Sequence, residues 1–179
     1  MVGPEITPVN HKGTYMEALE YIARILLVGM GATAVLDLWL IVIGRMGVPT
    51  LNFSLIGRWV GHLCRGTFAH AAIARAEPIG GELALGWITH YAIGIAFAAV
   101  LVASQTLAWS RQPTLGPALL IGVGSVLAPL FIMQPAMGAG FASSRTTTPA
   151  KNVLRSITNH AVFGLGLFLF SLLAAQFPR

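Results

Sequence analysis

The run from Leu83 to Trp109 is apolar for 27 residues and still carries a histidine, inside Gly86-Trp87-Ile88-Thr89-His90-Tyr91-Ala92-Ile93-Gly94-Ile95-Ala96-Phe97. About 20 apolar residues are enough for a helix to cross the hydrocarbon of a bilayer. In lipid every backbone N–H and C=O must be satisfied within the protein, so such a run is expected to be a transmembrane helix. An ionisable ring at that depth is costly and is normally turned toward protein or a wet cavity. His90 therefore needs partners, and the rest of the chain is a search for them.

Three further runs have the same character, at about 21–44, 115–141 and 153–177. The chain is 55% hydrophobic and 9% charged with mean hydropathy +0.74, whereas soluble domains carry about a quarter charged residues. The expected fold is all-α: a polytopic membrane protein whose single domain, 21–179, holds spans at about 21–44, 83–109, 115–141 and 153–177. Residues 1–20 form a polar segment with Glu5, Lys12, Glu17 and Glu20. That segment lacks the basic-then-apolar order of a cleaved signal peptide, so the first span is expected to serve as an uncleaved insertion signal.

The formal charge is +5 and the pI about 10.2, but the basic residues fall between apolar runs. Topology and anionic lipid headgroups account for them, and nucleic acid is not an expected partner. The connections after spans one and three hold seven basic residues (Arg45, Arg58, Arg65, Arg75, Arg145, Lys151, Arg155), against four on the other face (Lys12, Arg24, Arg111, Arg179). An excess of Lys and Arg marks the cytoplasmic side. The expectation is a multi-pass bacterial inner-membrane protein with those connections cytoplasmic and both termini periplasmic. Between spans one and two, residues 54–63 are expected to form a short interfacial amphipathic helix whose wet side, with Arg58, His62 and Arg65, meets headgroups or an anionic solute. Cys64 is the single cysteine, so no internal disulfide is possible and no thiolate metal motif exists.

Unusual polar residues recur at comparable depth. Asp37 lies eight residues before Arg45, and His90 eight after Glu82, which is roughly 12 Å in at a rise of about 1.5 Å per residue. Gln134, nine before Ser143, and His160, five after Arg155, fall roughly 13 and 8 Å in by the same reckoning, for unbroken helices. The ionisable residues sit in stripes of small residues at four-residue spacing: Gly29, Thr33, Asp37; Gly86, His90, Gly94, Ala98; Ser156, His160, Gly164. Such stripes let membrane helices approach closely and should face the bundle. The expected pocket is therefore lined by Asp37, His90, Gln134 and His160, with Thr33, Tyr91 and Asn159 beside them. The words His90-Tyr-Ala-Ile-Gly and His160-Ala-Val-Phe-Gly, each following an Ile-Thr pair, suggest two similar helical hairpins related by an axis along the membrane normal.

Two readings of this layer stand side by side. It is either a structural lock that fixes helix register or a site that binds a small solute, proton or cation. Asp37, His90 and His160 together are a ligand set that a divalent cation such as Zn²⁺ accepts, although no two share a helical turn. Bis-histidine ligation of a b-type haem by His90 and His160 is a poorer fit. Nucleophilic or hydrolytic catalysis finds little support, without an enzyme being excluded. No GxSxG surrounds Ser125, Ser143 or Ser144, and Asp37 is the one acidic residue within a span, so paired carboxylates are lacking.

Several words in the chain belong together: Asp37-Leu38-Trp39, Val48-Pro49-Thr50-Leu51-Asn52, Gly57-Arg58-Trp59-Val60-Gly61-His62, Gly86-Trp87-Ile88-Thr89-His90-Tyr91, Gln134-Pro135-Ala136-Met137-Gly138-Ala139-Gly140-Phe141 and His160-Ala161-Val162-Phe163-Gly164. In these the chain resembles the bacterial domain-of-unknown-function family numbered 2938, a group of small inner-membrane proteins. The resemblance implies a four-span architecture and no activity; the polar start, 1–20, is longer than the family's usual leader. The functional expectation is binding or translocation of a small solute, with a homo-oligomer or larger membrane complex supplying further walls. The rival is an accessory or scaffold subunit without turnover.

Overall fold

A computed structural model describes residues 11–176, in which every regular element is helical. In chain order the helices are α1 (His11–Arg45), α2 (Phe53–Leu63), α3 (Glu82–Ser104), α4 (Leu107–Arg111), α5 (Leu115–Gly124), the short α6 (Gln134–Ala136) and α7 (Pro149–Ala174), with a π-turn at Pro129–Met133 and 3₁₀ turns at Ile73–Arg75 and Phe141–Ser143. Four segments are long and apolar enough to cross a membrane: Tyr15–Arg45, Glu82–Ser104, Leu115–Ala136 and Pro149–Ala174. The first ten residues of the polar leader and Arg179 lie outside the described residues.

Large apolar side chains point outward along these helices, among them Leu120, Ile88 and Leu38, each more than 60% exposed within the protein. A surface of that kind is covered by lipid tails in an integral membrane protein. The interior is a seam of Val28, Ala32, Leu36, Leu101, Phe163 and Leu167. Helix α1 packs against both α3 and α7, and α5 packs against α7. Small residues make these approaches possible. Gly94 takes the Thr33 side chain, Gly166 lies on the backbone at Ala32, and Gly122 lies against Gly164.

The second helix ends at Ser104, short of the expected 109, because Ser104, Gln105 and Thr106 interrupt the apolar run; Trp109 belongs to α4 and donates its indole N–H to Thr114 Oγ1 at 3.1 Å. The third span, expected over about 115–141 with Pro129 and Pro135 able to kink or break it, is broken. Pro129 has no N–H to give the preceding turn, and the chain passes through the π-turn before closing α6 at Ala136. The last helix begins at Pro149, earlier than 153, since proline suits the first helical position. At the other end of the bundle, Arg24 pairs with Glu20 at 2.8 Å and also donates to the carbonyl of Ala174 at the end of α7.

Helix α1 stops at a left-handed glycine, Gly47 with φ +80°. The Val48 N–H reaches the Ile43 carbonyl at 3.0 Å and the Gly47 N–H reaches Gly44 at 3.0 Å, the paired bonds of a Schellman cap. This reversal sends the chain back along α1 to Asn52, whose side chain caps α2 by accepting the Ser54 N–H at 3.1 Å. Helix α2 then runs antiparallel along the first turns of α3. Phe53 stacks on Trp87 at 4.1 Å, Gly57 rests on the Glu82 carbonyl and Gly86 on the Phe53 carbonyl.

Beyond α2, residues 64–81 form a strap. Trp59 donates to the Phe68 carbonyl at 2.8 Å, and the N–H groups of His70 and Ile73 reach Ala136 and Met137 at 2.8 and 3.0 Å. Arg58 closes the strap with paired bonds to Glu82 at 2.8 and 2.9 Å and further bonds to the carbonyls of Ala76 and Ala74. Through its hydrogen bond to Glu82, the Arg58 guanidinium is raised above its usual pKa.

Two outcomes follow from this packing. A Cβ at Gly86 or Gly122 has backbone in its way, whereas nothing lies within 4 Å of Gly116 or Gly124. Gly86→Ala and Gly122→Ala are each expected to lose about 1–3 kcal/mol in detergent unfolding, with Gly116→Ala and Gly124→Ala near wild type. Glu82→Gln weakens the clasp on Arg58, so trypsin is expected to cut at the exposed Arg65 and Arg75 several-fold faster; an unchanged cutting rate would show that backbone bonds alone hold the strap.

Candidate functional site

Asp37 sits about three turns below the Gly47 cap of α1, with its side chain mostly buried. A carboxylate there must be hydrogen-bonded, and α3 supplies both donors. His90 Nε2 lies 2.9 Å from Asp37 Oδ1, and the Tyr91 hydroxyl donates to Oδ2 at 2.8 Å. With Asp37 ionised the carboxylate only accepts, and His90 then donates from Nε2 in this contact. Both side chains of the Asp37–His90 pair are 13% exposed. Aromatic rings enclose the imidazole, with Phe53 at 4.9 Å, Tyr91 at 5.8 Å and Trp87 at 6.0 Å.

On the other side of His90 is a cavity of about 240 Å³ bounded by α1, α2, α3, α7 and the broken third span. Its polar wall comprises Thr33, His90, Ser125, Gln134, Ser156, Asn159 and His160, and the remainder is apolar or aromatic. His160 Nδ1 lies 2.6 Å from Ser125 Oγ, which in turn donates to the Gly122 carbonyl at 2.6 Å. Asn159 Oδ1 accepts the indole N–H of Trp39 at 3.0 Å. Gln134 Oε1 accepts from Ser143 Oγ at 2.9 Å. Ser143 follows Ala142, and both have positive φ, 62° and 47°. Such backbone costs of order 1–3 kcal/mol per residue and aims the serine hydroxyl at Gln134. Thr33 gives its hydroxyl to the Gly29 carbonyl of its own helix at 2.8 Å.

The candidate residues thus divide into groups. His90, Gln134, Asn159, His160 and Thr33 line one cavity, while Asp37 lies behind His90 and opens on a second recess shared with Arg45 and Thr50. Tyr91 lies outside the cavity lining and holds the carboxylate. Asp37, His90 and His160 are not assembled as a metal set; among the described residues no three His, Cys, Asp or Glu side chains converge on one point. The reason is competition, since Ser125 and not Asp37 takes the His160 ring. Arg58, expected at the headgroups, spends its guanidinium on Glu82 and strap carbonyls. His62 donates Nε2–H to the Glu77 carbonyl at 3.0 Å, and Arg65 is exposed.

Sequence reasoning passed over Ser125, Trp39 and Phe53 as site residues. Ser125 could have been found from its place between Gly124 and Pro129, where a helix interruption leaves side chains and carbonyls facing a cavity. Trp39 carried a weaker signal, an indole N–H on a membrane helix that requires a partner.

Neither a curated protein nor a solved structure matches the chain. The family model described as a protein of unknown function, DUF2938, matches residues 26–174, from the first span to the end of α7. The chain belongs to that domain-of-unknown-function family.

Proposed function

We propose that this protein binds, and in a fuller assembly translocates, a small solute within the cavity between its spans. The observation that carries the reading is that His90, Gln134, Asn159 and His160, from three different spans, line one largely apolar cavity of about 240 Å³. Apolar pockets with a few convergent polar groups are the usual form of a small-molecule site, and polar residues at membrane depth mark solute paths. The broken third span supports the same reading, because irregular backbone at that depth is tolerated where it lines a cavity.

In this reading the protein is a multi-pass inner-membrane protein. The connections between spans one and two and between spans three and four face the cytoplasm, and the spans pair as two hairpins. Helix α2 leans from the membrane interface onto α3, and Arg65 meets anionic headgroups. Four spans make a thin wall, and a second copy or a larger complex completes it.

The competing reading, a structural lock, draws on one specific observation: Asp37 already has two donors. Purified protein screened by thermal unfolding against Zn²⁺ and a panel of small solutes separates the two. His90→Ala and Asp37→Asn are expected to insert and to melt within a few degrees of wild type while losing stabilisation by any solute that shifts the wild type. Variants that unfold in detergent, together with a wild type that no solute stabilises, would establish the lock.

A further inference from the structure

The polarity of the cavity wall is set by residues behind it. Trp39 has an indole N–H that can only donate, so its 3.0 Å contact must be to the Asn159 oxygen. The Asn159 amide is thereby oriented, and its NH₂ group is left for the cavity that Asn159 lines. Ser125 does the corresponding work for His160. Its oxygen lies 2.6 Å from both the Gly122 carbonyl and His160 Nδ1. Two oxygens that close must share the hydroxyl proton, and a carbonyl only accepts, so Ser125 donates to Gly122 and accepts from His160 Nδ1–H. A neutral His160 then has its acceptor lone pair on Nε2. One amide donor and one imidazole acceptor, on consecutive residues of α7, thus belong to the same wall.

Lys, Arg, Asp and Glu are absent from the residues that line this cavity, and the Asp37 carboxylate faces the other recess. A fully charged guest would lose its hydration with no Lys, Arg, Asp or Glu in the lining to replace it, which costs several kcal/mol. A neutral group that both accepts and donates meets complementary partners.

We infer that the cavity takes an uncharged amphiphile whose polar end pairs a carbonyl acceptor with an N–H or O–H donor, of which a primary carboxamide is the simplest case. The inference rests on the solute-binding reading and names its ligand class. Trp39 and Ser125 are positioning residues, acting on the ligand through Asn159 and His160.

The test uses four probes on the full chain in lipid nanodiscs, with calorimetry corrected for partition into empty discs: octanamide, octylammonium, octanoate and Zn²⁺. Octanamide is expected to bind saturably and more tightly than the other three. Asn159→Ala should weaken it about five- to tenfold, the worth of one hydrogen bond. Trp39→Phe keeps a ring in place but frees the Asn159 amide to turn. Its melting temperature should stay near wild type while the preference for octanamide over octylammonium falls, a change in selectivity that loss of packing alone would not produce. Tighter binding of octylammonium, octanoate or Zn²⁺ overturns the neutral-ligand inference and leaves solute binding standing. Saturation by none of the four overturns the inference too, and the broader screen above then decides the solute-binding reading itself.

Discussion

A carboxylate deep in the apolar part of α1 is the constraint on which this architecture turns. Consecutive residues of α3 meet the hydrogen-bonding demand of Asp37, His90 at 2.9 Å and Tyr91 at 2.8 Å. A contact using both carboxylate oxygens fixes the rotation and the height of α3 relative to α1. It also leaves His90 with one edge on Asp37 and its ring at the cavity wall.

The cavity exists because the third span does not continue as a helix. Two straight apolar helices in this place would close on each other through the Gly122–Gly164 contact. After Ser125 the chain departs from α geometry, Pro129 cannot restore the missing bond, and the π-turn shifts Gln134 out of the position a continuous helix would give it. The space so opened is lined by the same Ser125 that takes the His160 ring. The break and the polar wall are therefore one feature.

The strap and α2 close the end of the bundle nearest the Asp37–His90 pair. Their hold is of a different kind, made of backbone hydrogen bonds to Ala136 and Met137 and the Arg58–Glu82 clasp. Glycine at positions 57 and 86 lets α2 lie close enough to α3 for Phe53 to reach both Trp87 and His90. An arginine that composition alone assigns to headgroups is used to tie a loop.

Run lengths and the scarcity of charge determined the number of spans and the all-helical class, and the residues' distances from span ends placed Asp37 and His90 at a common depth. Those are one-dimensional quantities, and lipid makes them decisive. Small-residue stripes suggested that His90 and His160 face the bundle, and both residues line the cavity. Which partner each polar group takes was decided in three dimensions. Asp37 is satisfied by Tyr91 as well as His90, Asn159 by Trp39, and His160 by Ser125 on a span whose helix breaks. Depth along a helix follows from counting residues. Azimuth, and with it the choice among hydrogen-bond partners at similar depth, depends on how every helix rotates to bury its small residues, and that is settled only when all of them pack at once.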